Sequence, residues 1–291
     1  MALIAVTGAS GKLGRATITF LLDRSVPATS IVAVVRDPAK VADLAGGDVQ
    51  VRRGDYTDPA SLENAFRGVD KLLFISTSAL GEERLLHHRN VVKAARAAGV
   101  KHILYTSVVS PSPTAKFAAS PGHFQTEALI RESGIAYTFF RNNLYLDIVP
   151  FMFGEAIETG TLTHAAGAGR IGFIARDDIA EALATVLTKG EHANREYEIT
   201  VSFAPYSMAD VATGLGKATG KAVSCTEATP EALRKRLEAR GLPAPAIAMS
   251  LGMADAIRAG EFDATSPALE GFLGRPPLRL EPFLKKALAP R

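Results

Sequence analysis

Leu3-Ile4-Ala5-Val6-Thr7-Gly8-Ala9-Ser10-Gly11-Lys12-Leu13-Gly14 decides how the rest of this chain is read. A short apolar run, the pattern of a strand covered on both faces, stops at Gly8 and gives way to a helical pattern. Gly8, Gly11 and Gly14 stand three residues apart across the junction, a G-x-x-G-x-x-G spacing rather than G-x-G-x-x-G. Such a junction turns tightly and lets a diphosphate approach with no Cβ in its way. The N–H groups opening the next helix then face the anion, and the helix dipole adds to the attraction. Thr7, Gly8, Ser10, Gly11, Lys12, Leu13 and Gly14 are therefore candidate dinucleotide contacts, with a ligand-free Gly-rich turn as the plainer alternative.

Outward from this stretch, apolar runs alternate with helical patterns. Further strands are expected at 31–35, 49–51, 72–75, 102–106 and 136–140. Asp58-Pro59, a cap followed by proline at the first helical position, opens a helix through Phe66, and Asp37-Pro38 opens a shorter one. Helices over 83–98 and 124–132 stop at Gly99 and at Ser133-Gly134. The alternation predicts an α/β fold, a doubly wound parallel sheet with ligands beyond the carboxyl ends of its strands.

After Arg141 the rhythm changes. A helix is expected over 145–159, then the Gly-rich stretch 165–169, the run Ile171-Gly172-Phe173-Ile174, and a helix from Asp178 capped by Asp177. Residues 196–201 read as one more strand of the main sheet, and 205–291 as a smaller, mostly helical lobe. The expected division is a dinucleotide-binding domain over 1–150 and a segment 151–291 that adds to the main sheet and forms the substrate lobe. The stretch 110–122 reads as a loop long enough to serve as a lid or mobile edge.

Composition narrows the function. The 291 residues are 47% hydrophobic with a net charge of +3, ordinary for a globular protein and too little for a nucleic-acid footprint. Arg234-Lys235-Arg236 with Arg240 is broken by Glu238 and reads as a solvated helix face. Cys225 is the only cysteine, so no intrachain disulfide forms, and it lacks neighbours at metal-ligand spacing; no metal is expected. A first strand at Leu3 leaves no room for a signal peptide. The apolar segment 137–153 is interrupted by Arg141, Asn142, Asn143, Asp147 and Pro150 and reads as no membrane span. A cytoplasmic protein, monomer or homodimer, is the expectation.

The position after the second strand selects the dinucleotide. An acid there grips the ribose 2′-hydroxyl of NAD, whereas Arg36, with Lys40 one turn on and Lys12 in the glycine turn, suits the 2′-phosphate of NADP. NADP(H) is therefore preferred, and Asp37 keeps NAD(H) open as the alternative. Asp55 and Tyr56 follow the third strand, where a carboxylate can accept from the adenine amino group and a ring can border the base; a capped turn is the alternative. Ser76 and Thr77 end the fourth strand and leave room for the cofactor at the sheet edge.

The fifth strand ends Tyr105-Thr106-Ser107, and Tyr105 and Thr106 join the candidate cofactor contacts. Short-chain reductases often pair a serine here with a downstream Tyr-x-x-x-Lys; this chain has His123-Phe124-Gln125-Thr126-Glu127 instead. His123 and Glu127 share a helical face as a candidate proton relay, or form a helix-start histidine beside an exposed glutamate. Reduction of an ordinary ketone makes a strongly basic alkoxide that wants a positioned acid. Reduction of a quinone makes a phenolate-like oxygen of pKa about 10, which solvent can protonate. Missing the Tyr/Lys pair thus suits quinones or other delocalised acceptors. Asn142, Asn143 and Tyr145, after the sixth strand, are candidates for positioning nicotinamide or substrate; Arg141 in an ion pair and capping asparagines are the alternative.

These motifs, with Arg89-Asn90-Val91-Val92, Ala97-Ala98-Gly99-Val100-Lys101 and the tail Leu269-Glu270-Gly271-Phe272-Leu273-Gly274-Arg275-Pro276, resemble the NmrA-like, atypical short-chain dehydrogenase/reductase family. The likeness is greatest to its type-2 NAD(P)H:quinone oxidoreductase branch, with triphenylmethane-dye reductases next. It implies a Rossmann-like fold and hydride transfer from NADP(H) to a small quinone-like substrate without metal or flavin. Arg36 would meet the 2′-phosphate, and Asn142 and Asn143 would lie near nicotinamide and substrate. The segment 111–121 and the Asn143-Leu144-Tyr145 context depart from the pattern and leave substrate choice open. A non-catalytic NADP-binding redox sensor of NmrA type, or a dye or imine reductase, is the alternative.

Overall fold

In the computed structural model, which describes residues 2–289, the opening strand β1 (Ile4–Thr7) is buried along its whole length. Its unbroken apolar run requires cover on both faces, and the sheet supplies it. The remaining strands are β2 (Ile31–Val35), β3 (Gln50–Arg53), β4 (Lys71–Phe74), β5 (His102–Val108), β6 (Ala136–Asn142), β7 (Thr161–His164), β8 (Arg195–Ile199) and β9 (Ser224–Glu227). Seven of them form one sheet in the order β3-β2-β1-β4-β5-β6-β8, and β1 to β6 pair in parallel. Strand order reverses between β1 and β4, so the crevice beyond their carboxyl ends is where a doubly wound sheet takes its ligand.

The helices are α1 (Lys12–Asp23), α2 (Ala42–Gly46), α3 (Pro59–Ala65), α4 (Gly81–Ala97), α5 (Ser120–Glu132), α6 (Val149–Phe153), α7 (Glu155–Thr159), α8 (Arg176–Thr188), α9 (Met208–Thr219), α10 (Pro230–Ala239), α11 (Ala244–Arg258), α12 (Ala268–Leu273) and α13 (Leu280–Ala287). Asp58 caps α3 through Ser61 N–H, with Pro59 in the first turn, as its dipeptide predicts. Over one sheet face Leu62, Phe66, Leu72, Phe74, Val91, Ile103, Tyr105 and Phe139 make a single buried cluster. Full burial of each large side chain contributes about 1.5–3 kcal/mol.

Two compact units result: the first holds residues 1–113, 121–142 and 177–197, the second 114–120, 143–176 and 198–291. The first carries the parallel sheet. The second is mostly helical, with a two-stranded parallel sheet of β7 and β9 that the short, half-polar runs Thr-Leu-Thr-His and Ser-Cys-Thr-Glu do not announce.

Three elements differ from expectation. The helix expected over 145–159 is broken into a 3-10 turn, Leu146–Ile148, and the short helices α6 and α7. Pro150 stands in the first turn of α6, where its missing N–H does no harm but where it would break a helix continuing from before it. The helix expected from Asp178 begins at Arg176, because Asp147 accepts from Arg176 N–H at 3.1 Å and takes the cap's place. The stretch read as a loop to Gly122 is helical from Ser120, and its centre is tied down: Lys116 and Phe117 N–H groups donate to the Glu261 carboxylate at 2.5 and 2.9 Å. That clamp, with Phe117 edge-on to Phe262 at 5.3 Å, anchors the segment in the second unit.

Candidate functional site

The junction after β1 builds an open cradle of backbone amides. Gly8 has φ +60°, a conformation L side chains rarely adopt, and Gly11 N–H closes the turn on Gly8 O at 2.9 Å. A Cβ on Gly14 would sit 2.6 Å from Gly8 O and 2.9 Å from Ala9 Cα, so glycine is needed there for α1 to pack against the turn. Gly8, Ser10, Gly11 and Lys12 are exposed, while Leu13 and Gly14 are buried. No side chain caps α1 and no acid stands in its first turn, so its leading N–H groups are left for an anion.

Beside the cradle, β1 and β2 run in register with Thr7 opposite Val34, and Arg36 follows two residues later, exposed. Strand β2 ends at Val35, and the Asp37 carboxylate is spent as a cap, accepting from Ala39 N–H at 3.1 Å. The residue presented at the end of β2 is therefore Arg36. Among the described residues Lys12, Arg36 and Lys40 form no ion pair, whereas nearby Arg15 is taken by Asp43 at 2.5 Å. An exposed anion cradle flanked by three unpaired cations fits a dinucleotide bearing an extra phosphate.

At the β3 and β4 edges the polar side chains mostly hold the frame. The Asp55 carboxylate accepts from Thr57 N–H and Oγ1 at 2.9 and 2.8 Å, bonds that make the turn and, with the charges of Arg36 and Arg53, lower its pKa. Tyr56 donates from its hydroxyl toward Thr7 Oγ1 (2.6 Å) and Ile75 O (2.7 Å), with its ring edge-on to Phe74. Thr7, fully buried, accepts from Ile75 N–H and donates to Leu73 O, so it knits β1 to β4 rather than facing outward. Thr106 does the same for β4 and β5, accepting from Ser76 N–H at 2.9 Å. Ser76 and Thr77 are half-buried at the end of β4.

Below that edge lies a buried polar network centred on Tyr105. Tyr105 has no exposed surface, so its side chain is unable to touch a cofactor: β5 turns it into the core, with Phe74 at 5.0 Å. Its hydroxyl lies 2.7 Å from His123 Nδ1, and His123 Nε2 lies 3.0 Å from Arg84 Nη1. Arginine only donates, so His123 Nε2 accepts and its proton sits on Nδ1, aimed at Tyr105. Thr77 N–H donates to His88 Nε2 at 3.2 Å, so His88 donates from Nδ1 to Thr126 Oγ1 at 2.7 Å, and Thr126 passes its own proton to Gly122 O. Both imidazoles are neutral. Burial, helped by the Arg84 charge, pulls His88 down to about 3 and His123 well below the usual range, and burial pushes the Tyr105 phenol up.

His123 and Glu127 share a face of α5, yet they do not form one relay. The Glu127 carboxylate, only 1% exposed, accepts from Ser107 Oγ (2.7 Å), from Arg141 through Nε and Nη2 (3.0 and 2.7 Å) and from Arg131 (3.1 Å). Glu196 joins both arginines, which closes a four-membered ion cluster between α5, β6 and β8. Glu127 is thus neither exposed nor available to His123. Arg84, His88 and Thr126 escaped the sequence reading. The signal was present in α4, where Arg84 and His88 occupy the same buried stripe as Val91 and Ala95.

In the second unit Asn143 is fully committed. Its Nδ2 donates to Thr200 Oγ1 and Phe262 O at 3.0 Å each, and its Oδ1 accepts from Leu144 N–H at 2.8 Å. Buried to 2% exposure, it pins the segment and has no amide edge left for nicotinamide. Tyr145 is half-buried with the Arg176 guanidinium 5.7 Å over its ring, and Asp147 holds that guanidinium in place at 2.5 Å. Asn142 ends β6, buried, with its carbonyl accepting from Val109 N–H.

A parallel sheet with a bare amide cradle at its switch point and unpaired cations beside it defines a dinucleotide-binding protein of the Rossmann-like type. The NmrA-like family model matches residues 1–271, and the chain belongs to that family. It is 39% identical over 276 residues to quinone oxidoreductase 2 of Escherichia coli (strain K12), covering 94% of each chain. The crystal structure of the E. coli NADPH-dependent quinone oxidoreductase QOR2 complexed with NADPH matches with a TM-score of 0.92 at 36% identity, over 98% of this chain and 99% of that one. The Citrobacter sp. triphenylmethane reductase complexed with NADP(H) matches with a TM-score of 0.90 at 38% identity, again over 98% and 99%.

Proposed function

We propose that this chain is an NAD(P)H-dependent oxidoreductase that passes hydride to a quinone or a similarly conjugated, electron-poor acceptor, with NADPH the preferred donor. The observation that carries the reading is the uncapped amide cradle beside the unpaired Arg36, on a chain whose similar proteins are named for reducing quinones and dyes with a nicotinamide nucleotide. In this reading Gly8, Ser10, Gly11 and the amides of Lys12, Leu13 and Gly14 hold the diphosphate. Arg36, with Lys40 and Lys12, holds the 2′-phosphate. Asp55 and Tyr56 fix the turn bordering the adenine, Ser76 and Thr77 the ribose edge, and Asn142 and Tyr145 flank the reacting end.

The bound nucleotide supplies the hydride. The chain's own residues supply position, and little proton chemistry. His123 is neutral, buried and held between Arg84 and Tyr105; Tyr105 is inaccessible; Glu127 is closed into its ion cluster. None of these stands ready to protonate an alkoxide. An acceptor whose reduced oxygen is a weak base, of pKa about 10, needs no such acid. Juxtaposition of donor and acceptor in a site that excludes water then carries the rate. We assign the protein to the cytoplasm, on its single cysteine, and no helix among the described residues is long and apolar enough to cross a membrane.

The test is nucleotide oxidation by the purified chain, followed by nicotinamide absorbance, with several benzoquinones and naphthoquinones. Turnover with NADPH exceeding that with NADH at equal concentration supports the reading. Tight NADPH binding with no turnover on any quinone or dye would reject it.

A further inference from the structure

The second unit contains a cavity of about 600 Å³ lined mainly by apolar side chains. Four of the chain's five methionines, Met152, Met208, Met249 and Met253, line it; the fifth is Met1. They come from three helices, α6, α9 and α11, so the clustering does not follow from sequence proximity. Thioether side chains are unbranched and polarisable, and they adapt to flat or irregular apolar ligands. Leu233 and Leu237 of α10 are buried to 8% exposure against this space, while Met249 (63%) and Phe151 (85%) stand exposed at its edge. The volume falls within the range of pockets that enclose drug-sized molecules.

One part of the lining is charged. Arg236 in the last turn of α10 and Arg240, the residue that caps its C-terminus, both reach the single carboxylate of Glu155, Arg236 at 3.0 Å and Arg240 closer still. Two guanidiniums on one carboxylate leave an excess positive charge at an otherwise apolar space. Both arginines are partly exposed, 37% and 41%, so each keeps donors for another acceptor.

We propose that this cavity is a binding site for an amphipathic anion, a flat or extended apolar body carrying one acidic group that lies against Arg236 and Arg240. The site is built entirely within the second unit and requires neither nucleotide nor turnover. It stands or falls independently of the proposed reductase activity.

A matched pair of probes tests it. 8-Anilinonaphthalene-1-sulfonate and N-phenyl-1-naphthylamine share the same aromatic body, and only the first carries an anion. Each is titrated into the full chain labelled with [methyl-13C]methionine and followed by methyl NMR and by probe fluorescence. The expected result is saturable binding of the sulfonate at one equivalent, with shifts of the four internal methionine methyls. The sulfonate should bind about 5–10 times tighter than the uncharged amine, the effect of a charge-assisted contact. Arg240→Gln should bring the two probes within about twofold while leaving the uncharged probe's affinity unchanged. Unshifted methionine methyls at saturating sulfonate would overturn the site. Equal affinity for both probes in the wild-type chain would overturn the anion preference. A fold check by circular dichroism on Arg240→Gln separates lost preference from lost structure.

Discussion

Arg84 is a buried cation with no acidic partner among the described residues, and its neighbours adjust to it. Its guanidinium donates to Ala79 O at 2.8 Å and to His123 Nε2, so a second positive charge on that imidazole, or on His88 behind it, is strongly disfavoured. Both histidines have folded-state pKa values below their unfolded value of about 6.5. The unfolded chain therefore binds more protons as pH falls below about 6.5, and stability falls with it. Each histidine contributes a slope of up to about 1.4 kcal/mol per pH unit over that window, down to about 3 for His88. Urea unfolding at a pH above neutrality and at a mildly acid pH should show this loss, and His88→Gln, which keeps one donor and one acceptor, should flatten it. Identical slopes in the two proteins would mean that His88 is charged or solvated in the folded chain. At this scale the sequence was informative about types and less so about surroundings. Arg36 is where the strand pattern put it, and Asp37, left ambiguous by sequence alone, turns out to be a helix cap. Asn143 and Tyr105 read as ligand contacts because polar atoms sat near strand ends. A single residue's shift along a strand exchanges crevice for core, and periodicity alone does not fix that facing.

At the scale of elements, the ion cluster of Glu127, Glu196, Arg131 and Arg141 fastens α5 to β6 and β8. Removing the buried member leaves two arginines with only one acid, a defect that costs about 3 kcal/mol. Glu127→Gln should therefore lower the unfolding free energy by about that much while retaining kcat, as measured by denaturation and by turnover on the folded fraction. A loss of kcat with stability intact would return Glu127 to the catalytic machinery. The parallel strands were legible because five largely buried runs and the more exposed β3 alternate with helices, and caps such as Asp58-Pro59 are local chemistry. The 145–159 helix was misread because its hydrophobic pattern persists across the 3-10 turn Leu146–Ile148 and across the junction at Gly154 that divides α6 from α7. The β7–β9 pair escaped because each strand is four residues long and pairs with one 63 residues distant in the chain, as Thr161 with Ser224, a contact that no local pattern encodes.

Across the whole molecule, the chain crosses between its two units several times, entering the second at Thr114, returning at Pro121, entering again at Asn143, returning at Asp177 and leaving once more after Tyr197. A division by residue number alone does not describe that path. The first unit carries the open amide cradle at the sheet's switch point, and the second carries the methionine-lined cavity. In the proposed reading, nucleotide choice is concentrated in a few groups at the end of β2, with Arg36 the foremost. Calorimetric titration of NADPH and NADH into the wild-type chain and into Arg36→Ala tests this most directly. One site per chain is expected, with NADPH bound more tightly than NADH, and with NADPH but not NADH weakened by about 1–3 kcal/mol in the variant. Failure of the wild-type chain to take up either nucleotide, or equal weakening of both by the substitution, would contradict the account.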